Sequence, residues 1–155
     1  MNWDAIGAIA EMLGSIAVIV TLILLVLQLR ANSAMLRNST MQYASNATSD
    51  WVANLAGNPE LHQLYRAGLN DDSELSREDR GRFDFVLFQA FTNLSTAHQL
   101  YLDGGIDDGK WNATVEQLGV LLRTRGGRRS WERQKSMFDT RFGDVVSGLM
   151  EEVSE

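Results

Sequence analysis

The stretch Met12 to Leu29, MLGSIAVIVTLILLVLQL, constrains this chain more than any other part of it. It holds eighteen residues without a charge, and twelve of them are Leu, Ile or Val. A helix rises ~1.5 Å per residue, so the stretch spans about 27 Å, close to the hydrocarbon core of a bilayer. At roughly −0.3 to −0.6 kcal/mol for each Leu, Ile or Val, insertion is favoured by about 4–7 kcal/mol before the small and polar residues subtract from it. The apolar residues surround the helix instead of lining one face, which argues against the core helix of a soluble domain. A cleaved signal peptide wants a basic start, a shorter run and a small-residue cleavage site. Here the start carries Asp4 and Glu11, and the run ends in Gln28, Leu29 and Arg30. The sequence therefore predicts one transmembrane helix.

The flanks predict its orientation. No Lys or Arg precedes the run, whereas Arg30 and Arg37 follow it with no acid before Asp50. The positive-inside rule then places the N-terminus outside and the rest of the chain in the cytoplasm. Trp3 fits an aromatic anchor at the outer interface. Within the helix, Gly7, Ala10, Gly14, Ala17 and Thr21 recur at spacings of three and four, on one stripe. In lipid, close contact between small residues brings helices together. With one span per chain the partner must be another chain, so a homo-oligomer is expected. Against this stands the general abundance of Gly and Ala in such helices. Glu11 neighbours the stripe. It reads either as a boundary residue reaching headgroups or as an intramembrane carboxylate, ringed with its copies and holding cations or protons.

The sequence divides into a transmembrane anchor (1–30), a juxtamembrane helix extending from it (31–57) and a soluble helical bundle (58–155). There is a single proline, Pro59, and no sustained period-two alternation, so the expected class is all-α. Asn58-Pro59 supplies an N-cap and a first-turn proline for a short helix expected to end at Gly68. Asn70-Asp71-Asp72-Ser73 reads as a solvated turn. Ser76 with Asp79 resembles a capping box that opens a long helix to about Leu102. Its stripe is Phe83, Leu87, Phe91, Leu94, His98 and Tyr101, with Phe85 and Phe88 as a second apolar side. A fourth helix carries Trp111, Val115, Leu118 and Leu122. Gly126-Gly127 reads as a break before a short helix with Trp131 and Phe138, and the last helix holds Phe142, Val145, Val146, Leu149 and Val153.

Composition narrows function. The net charge of −6 disfavours general nucleic-acid binding. The absence of cysteine removes disulfides, thiolate metal sites and Cys nucleophiles together. His62 and His98 stand on different helices without a partner ligand at metal-binding spacing, and His98 reads as a core histidine. Asp103, Asp107 and Asp108 flank glycines but miss the calcium-loop spacing. No serine sits in a nucleophile elbow or a Ser-x-x-Lys motif, so an enzyme is disfavoured and no cofactor or metal is expected. Sequons begin at Asn38, Asn46, Asn93 and Asn112, and matter only in a secretory lumen, which the expected topology excludes.

The most unusual soluble stretch is Arg123 to Lys135. It holds Arg123, Arg125, Arg128, Arg129, Arg133 and Lys135, six of the chain's fourteen basic residues. Glycines before a helix start and flanking arginines suit phosphate, carboxylate or anionic lipid headgroups. The plainer reading pairs these arginines with the acids of other helices or protomers.

The segments AIGAIAEMLGSIAVIVTLILLVLQLR, NPELHQLYRAGL and GGRRSWERQKSMFDTRF together resemble those of a family of small bacterial membrane-anchored helical proteins of uncharacterised function. The resemblance covers most of the chain and rests on layout. It implies a bacterial inner-membrane location and supplies no activity or site residues. The leading expectation is a membrane-anchored, self-associating structural or scaffolding protein. A tethered sensor or adaptor for anionic lipid or a protein partner, and an ion-conducting oligomer, are the alternatives.

Overall fold

The structure is a computed structural model and describes residues 3–152, with side chains from Glu11 onward and at Gly7 and Ile9 before it. Trp3 and Ala10 as side chains, and Val153, lie outside the described residues. Among those described there is no strand, and six α-helices follow in order: α1 (Trp3–Gly57), α2 (Pro59–Asp71), α3 (Arg77–Leu102), α4 (Asp108–Leu122), α5 (Arg125–Gln134) and α6 (Thr140–Glu152). Short 3-10 turns occupy Asp72–Glu74 and Lys135–Met137. The all-α class read from the sequence is the observed one. The chain forms two compact units that divide between Thr40 and Met41, inside the segment assigned above to the juxtamembrane helix.

The first unit is helix alone. From Met12 to Leu29 every side chain is exposed within the chain. Among the described residues α1 alone is long and apolar enough to cross a membrane.

The second unit begins with the end of α1, where Leu55 is buried and the Trp51 indole N–H donates to the Val86 carbonyl at 3.1 Å. Helix starts follow the capping rules. Asn58 accepts from Leu61 N at 3.0 Å, with Pro59 in the first turn. Ser76 accepts from Asp79 N at 3.1 Å and donates to the Asp79 carboxylate at 2.9 Å. Asp107 caps α4, Thr124 caps α5 and the Asp139 carboxylate accepts from the first amides of α6. Each cap satisfies an amide that the helix cannot bond internally. At the end of α3, Gly105 N bonds Leu100 O at 2.7 Å and Gly104 N bonds Tyr101 O at 3.0 Å. Gly104 takes φ 67°, the left-handed conformation this double closure requires.

Helix α3 is central. Phe83, Leu87 and Phe91 are fully buried with Leu118 and Leu122 of α4, Trp131 of α5, and Phe142 and Val146 of α6. Trp131 stands 5.2 Å from Phe91, 5.2 Å from Phe138 and 5.7 Å from Phe142 between ring centroids, a T-shaped and tilted cluster of the kind aromatic quadrupoles favour.

Four expectations need correction. Helix α2 does not stop at Gly68 but runs through it to Asp71, because Gly68 lies against the Phe83 ring where a side chain would clash. Gly126-Gly127 does not break the chain: both residues sit in the first turn of α5. A Cβ on Gly126 would overlap the Gly68 carbonyl, and one on Gly127 the Leu121 carbonyl, so the glycines let backbones meet. Asp72 is not solvated but 1% exposed. Phe85 does not join a second apolar side and is 78% exposed, while Phe88 packs on Phe138.

Candidate functional site

Three places deserve description as sites, and they differ in chemistry. The first is the membrane-type face of α1. Gly7, Gly14, Ala17 and Thr21 are all exposed, and nothing stands within 4 Å of a Cβ built on Gly7 or Gly14. The fifth member of the stripe, Ala10, lies outside the described side chains. Glu11 is exposed beside them. The two hydroxyls of the apolar run turn inward on their own backbone: Ser15 donates to Glu11 O at 2.9 Å and Thr21 to Ala17 O at 2.8 Å. Such back-bonding conceals a hydroxyl that lipid could not solvate. The stripe is thereby left smooth, open and without charge.

The second place is the polar face of α5. Here the six basic residues separate into distinct roles. Arg129 reaches Asp71 at 2.6 Å and Asp72 at 3.1 Å. Arg133 grips Asp84 through Nε and Nη2 at 2.9 and 2.6 Å, and its Nη2 also stands 2.8 Å from Asp72. Arg128 donates to the Leu122 carbonyl, and Lys135 pairs with Glu132 one turn before it. Arg125 is 71% exposed and 3.7 Å from Asp71, and Arg123 is exposed.

The acids come from the turn after α2 and from α3. They were legible as acids, but their convergence was not. Ser130 and Gln134 complete the cluster: Ser130 Oγ donates to Asp84 Oδ1 at 2.7 Å, and Gln134 donates to Ser130 and to the Asp84 carbonyl. Arg80 closes the other side, donating to the carbonyls of Asp72, Ser73 and Leu75. The Ser73 hydroxyl and amide, and then Arg129, hold the Asp71 carboxyl down at about 2. Hydrogen bonds that Arg129 donates to Asp72 and Asp71 raise its pKa, as the bond that Arg133 donates to Asp84 raises that of Arg133. The segment read from sequence as a candidate anion site thus carries its anions within the chain. The cluster clamps α2, α3 and α5 to one another.

The third place is a groove of about 410 Å³ within the second unit, between the end of α1, α2, α3 and α4. Trp51, Tyr65, Ala90, Leu94, Val120 and Leu121 give it an apolar wall, and Asn93 and Gln117 add amides. No charged residue lines it. The Trp51 and Tyr65 rings meet edge to face at 5.7 Å. Burial raises the Tyr65 phenol above its ordinary value.

His98 belongs to none of these. It is buried between Trp111, 5.0 Å away, and Phe142, 5.9 Å away, and burial lowers its pKa. Tyr101 stacks on the same Trp111 and donates to Asp108 at 3.2 Å. Among the described residues no three His, Cys, Asp or Glu side chains converge as metal ligands. No protein-family model, curated protein or solved structure matches the chain.

Proposed function

We propose that this chain is a membrane-anchored, self-associating structural module, held in the bilayer by α1 and carrying a helical bundle. The observation that carries the reading is the state of the first unit. Its apolar side chains from Met12 to Leu29 are all exposed within the chain, and its Gly14 and Ala17 face is open. Lipid covers the large apolar residues of such a helix. Lipid gains little from the small-residue face, where a second helix can approach closely and gain dispersion contacts. With one such span among the described residues, that helix belongs to another chain, and a second copy is the partner this reading takes. The expected setting is a bacterial inner membrane with the bundle in the cytoplasm, following Arg30 and Arg37.

The internal pairing of Arg129 and Arg133 favours this reading over an anionic-lipid adaptor, because those guanidinium groups are already engaged. The test is the mass of the full-length protein in mild detergent, measured beside Gly14→Leu. A discrete oligomer that dissociates in the variant supports assembly through the stripe. A monomer in both overturns it.

A further inference from the structure

The groove beside Trp51 holds polar groups that the chain leaves unused. Its other donors are engaged by the chain itself. The Trp51 indole N–H goes to the Val86 carbonyl at 3.1 Å. The hydroxyls of Thr48 and Thr114 turn back to Ala44 O at 3.1 Å and Lys110 O at 3.0 Å. Tyr65 and Asn93 differ. Among the described residues the Tyr65 hydroxyl has no hydrogen-bond partner, and burial alone raises its pKa. The Asn93 carboxamide accepts from Gln89 Nε2 at 3.0 Å, but its own Nδ2 is buried and donates to nothing. A buried donor without an acceptor is costly to keep, and native chains hold few of them. Thr92 Oγ1 is in the same state, but Thr92 does not line the groove.

The rest of the lining decides what can answer these groups. At about 410 Å³ the groove falls within the range of about 300–1,000 Å³ found for small-molecule sites. Charge is missing from it: 22% of the chain is Asp, Glu, Lys or Arg, and none of these lines the groove. A charged ligand would shed its hydration there without gaining a counter-ion. Ala90, Leu94, Val120 and Leu121 offer apolar walls, and the Trp51 and Tyr65 rings offer aromatic surface. We propose that this groove binds an uncharged, apolar small molecule through one oxygen acceptor, a ketone or ester carbonyl, which takes hydrogen bonds from Tyr65 and Asn93. Turning Asn93 to the ligand gives up only its bond to Gln89, an exposed side chain that water serves instead. The site lies within the second unit and does not depend on the self-association proposed above.

Benzophenone is the probe, an uncharged aromatic ketone that inserts into nearby C–H bonds under light and so marks the residues beside it. Full-length protein in lipid vesicles is irradiated with it and the labelled peptides are identified by mass. Labelling around Leu94 and Val120 should saturate, and the charged analogue 4-benzoylbenzoate should label them poorly. Val120→Trp, at a position 58% exposed and so harmless to the core, should obstruct the groove and abolish the label. Asn93→Leu and Tyr65→Phe keep the shape and remove the polar group. Each should weaken benzophenone binding roughly two- to twelve-fold, the span of one net hydrogen bond. Neither should change competition by diphenylmethane, which has the same two rings and no carbonyl. Labelling confined to the apolar run of α1, or unchanged in Val120→Trp, overturns the site. Equal losses for ketone and hydrocarbon in both polar variants overturn recognition through Tyr65 and Asn93. Protection of the groove that grows with lipid content assigns it to an acyl chain, and protection that grows with protein density assigns it to a second copy. Either overturns the small-molecule reading.

Discussion

Gly126 and Gly127 show how a single hydrogen in place of a methyl can decide a packing angle. Gly126→Ala drives a Cβ into the Gly68 carbonyl, which is backbone and cannot swing aside. The expected cost is about 3 kcal/mol, at the upper end of overpacking effects. Gly119→Ala is the contrast: nothing stands within 4 Å of the added Cβ, and the site is inside α4. It should stabilise by about 0.5–1 kcal/mol through helix propensity. Thermal or denaturant unfolding of the full-length protein in detergent checks both, and equal effects at the two positions would contradict the close approach of α2 and α5.

His98 gives a second test at this scale. Burial between Trp111 and Phe142 lowers its pKa from 6.5, with Arg141 adding to the shift and Asp139 opposing it. The unfolded chain then binds a proton that the folded chain refuses. Stability is present above pH 6.5 and is lost as pH falls from there toward the folded value. Melting temperatures across pH 8 to about 5.5 should drop on the acid side, and His98→Gln should flatten that slope. A slope unchanged in the variant would assign the effect elsewhere.

Among the elements, α5 depends most on groups distant in sequence. Its arginines are held by Asp71, Asp72 and Asp84, and Asp72 is almost wholly buried beneath two of them. Asp72→Asn keeps the shape but removes the charge, leaving Arg129 and Arg133 short of a counter-ion. A fully buried pair would cost about 3–5 kcal/mol to break. Both guanidinium groups here are a third or more exposed and so partly screened. The expected loss is nearer 2 kcal/mol. Unfolding of Asp72→Asn beside the exposed Asp79→Asn checks it, and similar losses at both would contradict a buried role.

This element also marks the limit of what the sequence shows. Helix starts at Asn58 and Ser76 and the α3 stripe are local signals, carried by residues three or four apart, and all appear in the fold. The C-terminal end of α2 and the start of α5 were misread because Gly68, Gly126 and Gly127 answer to tertiary contact and not to local breaking. Asp72 looked like a turn residue because its partners are 57 and 61 residues away. An arginine-rich helix with Glu132 as its one acid was the hint that further acids must arrive from elsewhere.

At the scale of the molecule, the chain has a helix suited to lipid and a bundle closed on its own core and ion pairs. The long apolar N-terminal helix was legible as a helix, because length, absence of charge and all-round apolarity are properties of a window of residues. The groove beside Trp51 and Asn93 was not, since it draws on four helices and no motif. The open stripe on α1 was legible as spacing, and among the described residues nothing covers Gly14, Ala17 or Thr21. Its partner is the central claim.

The most direct measurement is energy transfer between donor- and acceptor-labelled full-length protein in lipid vesicles, followed as lipid is added at fixed protein. The account predicts transfer that depends on the fraction of acceptor and persists on dilution in lipid, and that falls in Gly14→Leu. Transfer that decays with dilution in step with chance encounters, identical in wild type and variant, would contradict it.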